Sequence, residues 1–125
     1  MTIVIDGTTF DIPVMGIKRN AEFLDKFAER TEDGILHREL IGVYFNYSLE
    51  FGRTHNTTEY AALWEKLTEP EEFHTVVVPD IDATPLTFTA YFAGVADELR
   101  KDTTAKTFWK NLRVNFIAKE PTRTP

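Results

Sequence analysis

The stretch Leu40 to Phe51 constrains this chain more than any other. Val43, Phe45, Tyr47, Leu49 and Phe51 are apolar, and they alternate with Gly42, Tyr44, Asn46, Ser48 and Glu50. A helix would scatter five such residues around its axis. A strand sends successive side chains to opposite faces and gathers all five on one. The segment therefore reads as a long strand with one face on a core and a more polar face behind it.

Such a strand needs partners, and the flanking sequence supplies them. Thr2 to Ile5 is β-branched, Asp6-Gly7 is a turn dipeptide, and Thr8 to Ile12 reads as the return strand of a hairpin. Pro13 ends that hairpin or places it at a sheet edge. Val14 to Lys18 reads as a further short strand. Ala21 to Arg30 fits two periods: Phe23, Leu24 and Phe27 have helical spacing, yet Phe23 and Phe27 also share a strand face. The hairpin chemistry of Thr31-Glu32-Asp33-Gly34 tips the segment towards a strand. Further on, Phe73 to Val78 is β-branched and closes at Pro79. Leu86, Phe88, Ala90 and Phe92 alternate with Thr87, Thr89 and Tyr91, with strand character running to Val95. Asp97 to Lys106 is polar and reads as loop. Phe108 to Ala118 is the last strand, with Leu112, Val114, Phe116 and Ala118 on one face.

One helix is signalled at about 57–69. Asn56 is a capping residue, and Glu59 follows at capping-box spacing. Tyr60, Leu63, Trp64 and Leu67 make one stripe, and Pro70 stops the helix. That stripe has only a sheet face to pack on. Short connections between neighbouring strands favour antiparallel pairing. With 125 residues the chain is one domain, 1–118. The expected fold class is mainly β with one flanking helix: two packed sheets, or one strongly bent sheet closing into a barrel. Residues 119–125 carry two prolines and no apolar anchor, so they are expected to be a flexible C-terminal tail.

Chemistry is sparse. Fourteen Lys and Arg against twenty Asp and Glu leave a net charge of −6, which disfavours nucleic acid and anionic membrane surfaces as partners. There is no cysteine, hence no disulfide, thiol catalysis or Cys-type zinc site. No apolar run reaches the roughly 18 residues of a membrane span, and the N-terminus lacks the basic start of a signal peptide. His37, His55 and His74 are not spaced as metal ligands. The acidic runs at 29–33, 69–72 and 80–82 fall at turns. No glycine-rich phosphate loop exists, and Ser48, the single serine, lies inside the long strand, where no serine nucleophile is presented. Catalytic residues, metal and cofactor are all expected to be absent. The candidate binding or interface residues are Arg53 and His55, in the polar stretch before the helix, and Tyr44 and Tyr91, on the more polar strand faces. The bland reading of the stretch is a helix start whose donors are met by Asn and Thr side chains. For the two tyrosines it is that they cover the second sheet face beneath the helix, in place of binding sugar or a neighbouring subunit.

A resemblance adds to this reading. It is carried by Ile3-Val4-Ile5-Asp6-Gly7, by Arg30-Thr31-Glu32-Asp33-Gly34 feeding Gly42 to Phe51, and by Glu59 to Leu67 ending at Pro70. These stretches resemble small structural proteins of phages and prophages of low-GC Gram-positive bacteria. The order of elements is similar to the tail-tube-like fold of tail tube proteins and of the N-terminal domain of distal tail proteins. The resemblance implies a β-sandwich or split barrel of two antiparallel sheets flanked by one helix. It implies a non-enzymatic subunit of the tail or baseplate, assembled in the bacterial host cytoplasm and residing in the virion. Its partners would be copies of itself in a ring and neighbouring tail or baseplate proteins, with no specific nucleic acid, no membrane and no cofactor. No long hairpin beyond the 29–34 turn is evident of the kind tube subunits use to interlock. The alternative is a small-ligand or carbohydrate-binding β-sandwich module, motivated by Tyr44, Tyr91, Trp109 and the 53–58 loop.

Overall fold

Asp6 and Gly7 both take positive φ, 50° and 81°, which is what a two-residue hairpin turn demands. They join β1 (Ile3–Ile5) to β2 (Thr8–Phe10). In the computed structural model, which describes residues 3–79 and 84–125, six further elements follow: β3 (Val14–Arg30), β4 (Leu36–Phe51), α1 (Thr57–Leu67), β5 (His74–Pro79), β6 (Pro85–Asp102) and β7 (Thr107–Ala118). The protein is mainly β with a single helix among the described residues. The acidic run at 80–82 lies outside them.

The seven strands of the described residues join one antiparallel sheet in the order β2-β1-β5-β6-β7-β4-β3, the single-sheet alternative of the expectation and not the two sheets that the resemblance implies. The link is β5. It pairs with β1 on one side and β6 on the other, so the first hairpin is stitched to the rest and does not form a layer of its own. Residues from six strands and the helix share one buried cluster, including Ile3, Phe10, Tyr47, Phe51, Leu63, Val76, Leu112 and Phe116. Tyr60, Leu63 and Leu67 of the helical stripe are buried in it as their spacing predicts. Burial of a Leu or Phe contributes roughly 1.5–3 kcal/mol each, so this cluster is the main source of stability.

The cap of α1 is half as expected. Asn56 Oδ1 accepts the Glu59 N–H at 3.0 Å. The Glu59 carboxylate does not return to Asn56. It accepts the Asp11 N–H at 2.9 Å and so ties the helix start to the end of the first hairpin. Lys66 near the other end lies 3.3 Å from Asp6, in the turn of that hairpin.

The ladder registers give the molecule two arms. β4 meets β7 only over Tyr47–Glu50 against Phe116–Arg113. From there β4 runs back to Leu36 paired with β3, about ten residues or roughly 33 Å beyond the shared ladder. β7 leaves the same ladder the other way, and residues 107–112 with their β6 partners extend past the opposite end. The 17-residue β3 merges the two expected segments, 14–18 and 21–30. With β4 it forms the hairpin that turns at 31–35, and bulges around Leu24, Asp25 and Phe27 bend it. The long hairpin not expected beyond that turn is β6–β7, which turns at 103–106. Likewise β6 continues through the polar 97–102 run expected to be loop. A ladder with no fully buried residue needs no apolar alternation, so the pattern carries no strand signal there.

The C-terminal residues, expected to be loose, lie against β4. Arg123 forms an antiparallel bridge with Val43. Contrary to the expectation of no apolar anchor, Pro121 packs on Gly42, and the backbone groups of 122–123 bond to Val43 where β7 no longer pairs with β4.

Candidate functional site

Two surfaces stand out. The first is a groove of about 440 Å³ between α1 and the β6–β7 arm. Tyr60 and Trp64, one helical turn apart, form its helix wall, and Phe108 and Trp109 of β7 form the other. Trp109 is 41% exposed. Thr54, Thr57, Glu65 and Asp97 supply the polar groups. The Tyr60 hydroxyl donates to Asp97 at 2.9 Å. Burial, and then that bond to a carboxylate, push the Tyr60 phenol well above its ordinary value. Tyr60 is therefore a neutral donor that fixes Asp97 in place.

The second surface is the β3–β4 arm. Phe23, Leu24, Phe27, Ile35, Leu36 and Ile41 are all exposed along it, Phe23 to 58%. Arg38 lies over the Phe23 ring at 5.4 Å and pairs with Asp25, so even its charges dress an aromatic side chain. The tip is held by Asp33, whose carboxylate accepts from the Thr31 hydroxyl and from the Ile35 N–H. Those bonds draw the Asp33 carboxyl below its ordinary value.

The expected site residues do not converge. His55 comes closest to the groove, its ring edge-on to Phe108 at 6.3 Å. Arg53 is exposed beside it and is not among the groove's walls. Tyr44 stands opposite Glu22, and Tyr91 opposite Ile117. By strand alternation both point away from buried Tyr47 and Ala90, hence away from α1. They cannot cover a sheet face beneath the helix, because the helix packs on the other face. Trp109, from the alternative reading, does line the groove. Trp64 and Asp97 were missed. Trp64 looked like one more core residue of the stripe, and Asp97 looked like loop.

His74 is 3% exposed at the start of β5 and stacks on Phe92 at 4.5 Å. Its Nδ1 lies 2.7 Å from Asp6 Oδ2. Asp6 also accepts the Thr75 N–H at 2.8 Å and has Lys66 at 3.3 Å. Desolvation alone lifts the Asp6 carboxyl, but the His74, Thr75 and Lys66 contacts outweigh it and hold it below its ordinary value. This cluster fastens the first hairpin to β5 and α1. It lines no cavity described above.

Among the described residues no group of three or more His, Cys, Asp or Glu side chains is placed to hold a metal ion, and no helix is long and apolar enough to cross a membrane. Compared with protein-family models, with curated proteins and with solved structures, the chain matches none.

Proposed function

We propose that the chain is a non-enzymatic structural protein of a phage or prophage tail or baseplate, one that self-associates into a ring and contacts neighbouring tail proteins. The observation that carries this reading is the β3–β4 arm. A two-stranded ribbon reaching roughly 33 Å past its sheet, with Phe23, Phe27, Ile35 and Leu36 bare, is an aggregation hazard in a protein that stays alone. In a subunit that meets its copies it is a docking element, since exposed strands and apolar side chains give both register and affinity. Two faces of a ribbon that long and about 10 Å wide amount to on the order of 600 Å², close to the roughly 800 Å² per partner of a standard interface.

Light scattering after size-exclusion chromatography, run across concentrations, tests the reading, with electron microscopy of the concentrated protein for rings or tubes. Defined oligomers are expected. A strict monomer that also never enters purified tail particles overturns it.

A second reading is favoured by the groove. Two indoles flanking an open slot with threonine hydroxyls and two carboxylates suit the flat, hydroxyl-bearing rings of a carbohydrate. A glycan array discriminates: specific binding that Trp109→Ala abolishes supports a carbohydrate-binding module, and the structural reading expects no specific hit.

A further inference from the structure

Where the β7 ladder on β4 ends, the chain's own last residues take its place. The Val43 N–H donates to the Arg123 carbonyl at 2.9 Å, and the Thr122 N–H donates to the Val43 carbonyl at 2.8 Å. The Phe45 N–H donates to the Thr122 hydroxyl at 3.1 Å. The seat is completed by a glycine. A Cβ at Gly42 would lie 2.5 Å from Pro121 Cβ and 3.0 Å from the Arg123 carbonyl oxygen, so Pro121 sits there only because position 42 has no side chain. The segment is held by a single bridge to Val43 and has a niche of its own.

Three features make this segment transferable. Its contacts with β4 come from residues 121–123, beyond the last anchor in the β6 ladder, where the Lys119 N–H donates to the Thr89 carbonyl at 2.9 Å. Glu120, exposed, separates the anchor from the segment. The receiving edge belongs to the part of β4 that overhangs β7, so it is approached from outside without crossing the rest of the sheet. The seat also adjoins open apolar surface. A groove of about 340 Å³ remains beside it, walled by Phe23, Leu40, Val43 and Phe45 on the arm and by Arg123 and Pro125 on the tail. Exchange of an identical element between copies preserves each of these bonds and adds contact between chains.

We infer that residues 121–125 are an exchange segment: in the assembled protein the tail of one copy lies on β4 of the next. The occupant of the Gly42–Phe45 edge is then the same segment of a second copy, which supplies the one proline that the Gly42 niche accepts. The inference rests on the self-association proposed above and gives it a specific contact.

The protein has no cysteine, so disulfide trapping is clean. The double variant Val43→Cys/Arg123→Cys reports the bridge within a chain and is expected to oxidise to a monomeric disulfide at low concentration. Single variants Val43→Cys and Arg123→Cys are then mixed in equal amounts at a concentration where oligomers form. Exchange joins about a quarter of the interfaces by a disulfide between unlike chains, at least tenfold above either variant alone. Failure of the double variant to oxidise while it remains folded by circular dichroism overturns the inference, because the seat is then not where it is placed. Oligomers without the mixed disulfide overturn the exchange but leave the self-association standing. Absence of oligomers at every concentration overturns both.

Discussion

Gly42 interrupts an otherwise side-chain-rich strand, and its cause is steric. Any Cβ there meets Pro121 and the Arg123 carbonyl oxygen. Gly42→Ala is expected to lift the C-terminal segment from β4 and to cost about 1 kcal/mol, the usual scale for a point change. Hydrogen exchange checks it: the Val43 and Phe45 amides should lose protection while Leu49 and Val114 keep theirs. Asp6 governs a second local effect. Its carboxyl is depressed in the folded protein, so the contacts with His74, Thr75 and Lys66 stabilise most above the unfolded carboxylate value of about 4 and fade as pH falls through the lower folded value. Denaturant titrations from pH 7 to pH 2 should show a loss of stability in acid that is smaller in Asp6→Asn. Tyr60→Phe removes the donor that Asp97 accepts and should cost about 1–3 kcal/mol, read from the denaturation midpoint.

At the level of elements, the helix depends on its cap. Asn56→Ala should cost about 1 kcal/mol, measured by thermal unfolding, because the Glu59 N–H is left without the side-chain acceptor. Much of this scale was legible in the sequence. The Asp6-Gly7 hairpin, the alternation from 43 to 51 and the stripe Tyr60, Leu63, Leu67 each state a period that only one element satisfies. What stayed hidden has a common cause. The 97–102 stretch of β6 and the tail at 121–123 have no buried face, so hydrophobic spacing is silent about them. Only backbone pairing places them, and pairing is not written in side-chain polarity. The groove was hidden for a related reason. Trp64 and Trp109 lie 45 positions apart, and nothing local announces that α1 and the β6–β7 arm will face one another. Arg53, His55, Tyr44 and Tyr91 stand out in the sequence only by their polarity and surroundings. Strand alternation then sent the tyrosines to the face away from α1.

The whole molecule combines a closed interior with bare extremities. Leu63→Ala, in the fully buried centre, should cost about 2–5 kcal/mol and lower the melting temperature of the isolated subunit. Phe23→Ser/Phe27→Ser on the arm should leave that temperature within a few degrees, since both side chains already face solvent. The same double change should weaken self-association by at least about tenfold, as expected when anchoring aromatics are lost from an interface, read by sedimentation across concentrations. Separation of these two responses is what the proposed self-association requires. The two hairpins also leave the sheet by different ends, because β4 and β7 overrun their short shared ladder in contrary senses. A stack joined through both would have a direction, like a row of arrows. Its two termini would be chemically unlike, so elongation could be started, or stopped, from one side alone.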